Sequence, residues 1–222
     1  MRWLPLALLL LAAPAAAETW NERCAVAPAA EAFKSCEEAL IDDPDDTLAL
    51  KRLGDIALGS HGEWRAVELY GRRIALEPDN PEAWFDQAAA LATMWYFVEA
   101  AEPLRQALAL DPGNVAFQRL AAIVFERAGP AEAAFAAHRG LAEAGIDTGM
   151  YDLAQDLHYG RGTASDGAQA RLWYERAAAA GHVGAMRALA EHLPHGALGD
   201  ADPSRADYWR QQAEAIRRAY DE

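Results

Sequence analysis

Residues 47–80, TLALKRLGDIALGSHGEWRAVELYGRRIALEPDN, are followed at once by residues 81–114, PEAWFDQAAALATMWYFVEAAEPLRQALALDPGN, and the two strings run in step. Pro44, Pro78 and Pro112 are each 34 residues apart. The same step joins Ala32, Ala66, Ala100 and Ala134, and it carries Leu50 onto Trp84 and Asn80 onto Asn114. A fixed period of this length marks stacked supersecondary units, so it has to be read before any local motif. The joints EPDNPEAW and DPGNVAF read as helix stop followed by helix start, because proline cannot continue the preceding helix and Asp or Asn caps the next. The repeated alanine lets the two helices of a unit approach closely. Leu50, Leu53 and Tyr70, then Trp84, Leu91 and Leu104, then Phe117 and Phe125, fill the space between units. A lone helix pair cannot bury its apolar faces, so the units must stack.

On these residues the chain resembles the tetratricopeptide repeat (TPR) family. Residues 81–114 match best, and residues 47–80 place Leu53-Gly54, Ala66, Tyr70 and Pro78 at the signature positions. A third unit, 115–146, keeps Ala122, Phe125, Gly129 and Ala134 but loses the closing proline. Ahead of them AAEAFKSCEEALIDDPDD matches the second half of a unit.

A second ruler applies further on, where YGRGTASDGAQARLWYERAAAAGH (Tyr159 to His182) crowds Gly160, Gly162 and Gly167. A phosphate-cradling glycine loop would need a preceding strand, or a following Gly-Lys-Ser/Thr, and neither is present. A shift of 36 residues instead maps Leu153 onto Leu189, Leu157 onto Leu193, Gly160 onto Gly196, Asp166 onto Asp202, Trp173 onto Trp209 and Ala177 onto Ala213. This block resembles the Sel1-like repeat, a longer relative of the TPR unit. The resemblance implies glycine turns at Gly160 and Gly162, Trp173 and Tyr174 packed between hairpins, and a charged final helix as a cap. The expected organisation is a signal segment at 1–17, an N-terminal cap and half-repeat at 18–46, three TPR units at 47–146, and Sel1-like repeats with a capping helix at 147–222. The expected fold is all-α, a right-handed superhelical solenoid of about ten helices arranged as antiparallel hairpins.

The chain opens MRWLPLALLLLAAPAAAETW, with one cation, an apolar run too short to span a bilayer, and small residues to Ala17. That is the pattern of a secretory signal, with cleavage expected after Ala17 and a periplasmic or secreted product. The formal charge of −14 excludes nucleic acid and anionic lipid as main partners, since both require a cationic footprint. The only two cysteines, Cys24 and Cys36, lie twelve residues apart, without C-x-x-C spacing or an adjacent histidine. In an oxidising compartment they read as a structural disulfide, worth roughly 2–3 kcal/mol; the alternative is a redox or metal pair. In the TPR frame the bridge would tie the N-terminus over the first complete helix as a covalent cap.

No residue pattern points to catalysis or to a cofactor. In EHLPH, His192 and His195 are three apart with a proline between them, whereas a helical zinc motif places its histidines four apart. No Gly-x-Ser-x-Gly elbow exists. The positive reading concerns a groove. The TPR resemblance implies that Lys51 and Asp55, Phe85 and Ala89, and Arg119, Ile123 and Arg127 line a concave face. These cations and apolar groups suit an extended peptide or helix of acidic character. In the TPR subgroup that clamps a C-terminal carboxylate, Asp55 and Asp86 would be asparagines and Ala116 a lysine, so only Lys51 matches. A second candidate surface is MWYF, where Trp95 and Tyr96 occupy a hairpin turn. The expected function is a noncatalytic scaffold or adaptor binding another envelope protein or peptide, without stable membrane insertion. The alternatives are a regulatory or assembly subunit of an envelope enzyme, in cell-wall remodelling or cytochrome maturation, and an enzyme with a site in the C-terminal loop.

Overall fold

A computed structural model describes residues 19–221; the expected signal segment and its cleavage point after Ala17 lie outside them. Twelve α-helices follow one another among the described residues. They are α1 (Trp20–Val26), α2 (Ala29–Asp42), α3 (Thr47–Gly59), α4 (Glu63–Leu76), α5 (Pro81–Thr93), α6 (Phe97–Leu110), α7 (Val115–Ala128), α8 (Ala131–Glu143), α9 (Asp147–Tyr159), α10 (Gly167–Ala179), α11 (Val183–His192) and α12 (Pro203–Asp221). Each packs mainly on its two neighbours in sequence, which makes the molecule a solenoid of six helix hairpins. The count exceeds the expected ten for two reasons. Residues 20–26 form a helix of their own behind a Thr19–Glu22 capping box, and the degenerate last unit keeps both helices around a 3₁₀ turn at Leu193–His195.

The joints behave as capping chemistry requires. Asn80 accepts from the Glu82 amide with Pro81 at the first helical position, and Asn114 accepts from Ala116 and Phe117. Asp46 and Asp166 cap α3 and α10, and Asp202, one 36-residue step beyond Asp166, accepts from the Arg205 amide. Gly160 and Gly196 are also one step apart, and both end their helical segments in the left-handed region at φ +70° and +71°. Without a Cβ, glycine adopts that conformation without strain. Of the crowded glycines, Gly160 and Gly162 (φ +68°) are therefore turn residues, while Gly167 opens α10.

Burial follows the two rulers. Ala32, Ala66 and Ala100 have no exposed surface and Ala134 almost none, so paired helices meet closely at each. Leu50, Leu53 and Leu69 pack with the N-terminal hairpin, Leu91, Leu104, Val124 and Phe125 form the central layer, and Leu153, Tyr174, Leu189, Leu193 and Trp209 form the C-terminal one. Two expected fillers are only half buried. Trp84 turns its indole N–H to the Pro78 carbonyl at 2.8 Å, and Trp173 carries the Arg176 guanidinium on its face.

Cys24 and Cys36 are joined in a disulfide with both residues fully buried, which fastens α1 onto α2. The Arg52 guanidinium of α3 donates to the Cys24 carbonyl and, at 2.7 Å, to the Ala27 carbonyl. These are orphan acceptors at the end of α1, so a covalent and a polar tie close the same terminus. No helix among the described residues is long and apolar enough to cross a membrane.

Candidate binding groove

First helices of neighbouring hairpins meet at two places. Helix α5 touches α7 directly, skipping α6, as α1 touches α3. Among the described residues no pair of second helices meets as extensively. With Lys51 of α3 also reaching Asp86 of α5, residues of α3, α5 and α7 share one face, the face that the TPR resemblance implies is concave.

Five of the residues singled out in the sequence come together there. Phe85 and Ala89 of α5, Ile123 and Arg127 of α7, and Trp95 in the α5–α6 turn line an open cleft of about 410 Å³. Ala92, Thr93, Phe97 and Leu120 complete it. Phe85 stacks on Phe117 at 4.7 Å between ring centroids, which sets the cleft floor. Trp95 is 70% exposed and Ile123 50% exposed, an arrangement that leaves apolar surface facing water. The Arg127 guanidinium lies over the rings of both Trp95 and Phe97, at 5.6 and 5.4 Å. Trp95 adopts φ +66°, in the left-handed region that a bulky side chain rarely occupies.

The remaining candidates sit elsewhere. Arg119 is exposed one helical turn before Ile123. Tyr96 leaves the cleft and meets Trp64 edge-to-face at 5.1 Å, across the turns of two hairpins. Lys51 and Asp55 belong to a closed polar network. The Lys51 ammonium lies 3.2 Å from Asp55 and 3.3 Å from Asp86. Asp86 also accepts from Arg73 at 2.9 Å, Arg73 reaches Glu77 at 3.1 Å, and the Tyr70 hydroxyl donates to Asp55 at 2.8 Å. Burial raises the Asp86 carboxyl above the ordinary range against the pull of Lys51 and Arg73, and burial with the Asp55 bond raises the Tyr70 phenol. Of the three groove cations, Lys51 is thus already neutralised.

The architecture recurs in solved structures. YrrB, whose structure is described as that of a TPR protein with an unusual peptide-binding site, superimposes with a TM-score of 0.64 over 84% of this chain and 93% of its own, at 14% identity. A protective antigen of uropathogenic Escherichia coli strains, described as displaying an SLR fold, gives a TM-score of 0.60 at 20% identity over 84% of this chain and 41% of its own. The fold is that of the TPR and Sel1-like repeat solenoids. In sequence, the TPR repeat-containing thioredoxin TTL4 of Arabidopsis thaliana is 36% identical over 88 residues, 39% of this chain, and the chain spans only 13% of that relative's length. No family model matches the chain.

Two features of the solenoid were not anticipated. Phe97 and Leu120 complete the cleft although neither was among the groove residues read from the sequence; Leu120 lies one 34-residue step beyond the clamp position Asp86. A polar cluster also sits where α7, α8 and α9 meet. His138 of α8, 2% exposed, places Nδ1 2.6 Å from Asp156 and Nε2 3.5 Å from Glu126, and Asp156 takes Arg161 at 3.1 Å. Burial opposes the imidazolium, but the Asp156 bond and the charges of Asp156, Asp152 and Glu126 outweigh it and hold His138 above its ordinary value. Its central bond, His138 to Asp156, crosses from one hairpin to the next, so no local spacing signals it. At the C-terminal histidines, His158 and His192 meet edge-to-face at 4.6 Å, and burial together with His192 lowers the His158 pKa.

Proposed function

We propose that the protein is a noncatalytic, exported scaffold that holds a peptide or helix of an envelope partner against its concave face. The observation that carries the reading is the α5–α7 cleft, where Phe85, Ala89, Ile123 and Trp95 present apolar surface to solvent beside Arg127. Such a surface is costly in water and gains stability only when covered. YrrB, described as having a peptide-binding site, shares the solenoid architecture. The buried Cys24–Cys36 bridge is compatible with an oxidising, exported setting. In this scheme residues 18–46 are the N-terminal cap, 47–146 the TPR units that supply the groove, and 147–222 the Sel1-like units that close the array.

Affinity capture from envelope extracts tests the proposal, with the Phe85→Ala and Ile123→Asp variants as controls and circular dichroism to verify their folding. One stoichiometric partner retained by the wild type and lost from both variants is the expected result. Equal recovery by all three, or turnover of a substrate by the chain alone, refutes it. Export is tested separately by N-terminal sequencing of the exported protein, where retention of Met1 would overturn the expected cleavage after Ala17.

A further inference from the structure

Arg119, Ile123 and Arg127 follow one another at four-residue steps on α7 and so form one stripe, cation, apolar, cation. Each step advances about 6 Å along the helix. Neither arginine has a carboxylate within ion-pair distance among the described residues, in contrast to Lys51, which has two. The middle of the stripe opens into the cleft, whose volume of about 410 Å³ has room for a large side chain. Helices α5 and α7 touch, so the stripe borders a continuous furrow between them. An extended chain fits: alternate residues share a face and stand ~6.6 Å apart, close to the step of the stripe. The left-handed φ of Trp95 recurs at His61, one 34-residue step earlier, so it belongs to the hairpin turn; that turn holds the Trp95 ring, 70% exposed, at the edge of the cleft.

We infer that the furrow selects an extended peptide of the pattern acidic–x–apolar–x–acidic, seating the central side chain among Phe85, Ala89, Ile123 and Trp95 and its flanking carboxylates on Arg119 and Arg127. The inference rests on the groove reading and specifies its partner. The arginines provide charge-assisted, salt-sensitive bonds that fix register, and the apolar anchor provides the burial. The α3 side of the groove, where Asp55 and Asp86 already hold Lys51, offers no equivalent attraction to an acid. An acidic peptide is thereby directed to α7.

The test is selection from a phage-displayed library of random twelve-residue peptides on the full chain, followed by fluorescence anisotropy of the enriched peptides against folded variants. The expected consensus is Asp/Glu, any residue, a large apolar residue, any residue, Asp/Glu. Binding should weaken about tenfold for Arg127→Glu and for Arg119→Glu, a loss of about 1.4 kcal/mol each, and a peptide with lysine in place of one acid should regain affinity for Arg127→Glu. Enriched peptides without flanking acids that are nevertheless lost on Phe85→Ala and Ile123→Asp would overturn the pattern and leave the groove standing. Peptides bound equally by those variants would overturn both, and failure to enrich any peptide would overturn the pattern.

Discussion

Lys51, Phe85 and Arg119 stand at equivalent positions of three successive units, as do Asp55, Ala89 and Ile123, yet the two halves of the groove they line are chemically opposite. Between α3 and α5 every charge is answered: Lys51 by Asp55 and Asp86, Arg73 by Asp86 and Glu77, and Asp55 also by the Tyr70 hydroxyl. Between α5 and α7 the same positions present a stacked Phe85, an exposed Ile123 and Arg119, with Arg127 one turn further on, and neither arginine has a carboxylate at hand among the described residues. A repeat dictates which side chains meet. It does not dictate whether the meeting is complete, and the incomplete half is where a partner gains most.

The largest effect expected from this contrast is in the closed half. Asp86→Ala leaves Arg73, 9% exposed, with only Glu77, and strands Lys51 on Asp55 alone. Breaking one side of a buried pair costs about 3 kcal/mol, and urea unfolding should show it. A loss below about 1 kcal/mol would mean that the network is solvated like any surface pair.

Next comes the packing behind that network. A methyl group at Gly54 would overlap the Tyr70 ring and push its hydroxyl from Asp55. Gly54→Ala should therefore cost about 2 kcal/mol by overpacking. The equivalent pair in the open half is Ala88 with Leu104, a larger residue facing a smaller one, and there Ala88→Gly should cost only about 1 kcal/mol through helix propensity. Reversal of that order in thermal unfolding would break the comparison.

The open half should respond weakly in stability and strongly in binding. Trp95→Gly removes a left-handed backbone cost of about 1 kcal/mol and forfeits little buried surface, so it should stabilise the fold by about 0.5 kcal/mol. The same variant should bind the selected peptides less well. A clear fall in stability would make Trp95 a packing residue instead.

The last effect is confined to a pH window. His138 is an ion-pair partner buried like Arg73, but its charge depends on pH, and the groups facing it are Glu126 on α7, Asp152 and Asp156 on α9, and Arg161 beyond α9. Its folded value is raised, so its contribution is full below the ordinary 6.5 and is lost as pH rises through the folded value. Asp152 is raised from 3.8 by burial, and its protonation likewise favours the fold. Melting temperature should fall as pH rises above about 6.5, and His138→Gln should flatten that slope. An unchanged slope would assign the titration to another group.

Much of the molecule was legible because its physics is local. The 34- and 36-residue spacings, the capping Asn and Asp residues, the prolines and the turn glycines act within a few residues of chain, and they specify helices, their ends and their order. The disulfide was legible as well, since only two cysteines exist and both fall near the first complete helix. The charge balance of the groove was not legible. Lys51 reads as a free groove cation by its position, but Asp86 reaches it from the next unit and cancels it. Tyr96 reads as a neighbour of Trp95, but the turn sends the two rings to different hairpins, one toward Trp64 and the other toward Arg127. The His138–Asp156 pair spans eighteen residues and two helices and follows neither ruler. By itself the sequence determined a stacked, capped, all-helical solenoid, because periodic burial and helix termini are short-range. Only the tertiary structure decided which charges remain free and which apolar side chains stay uncovered, because each depends on a neighbour from another hairpin.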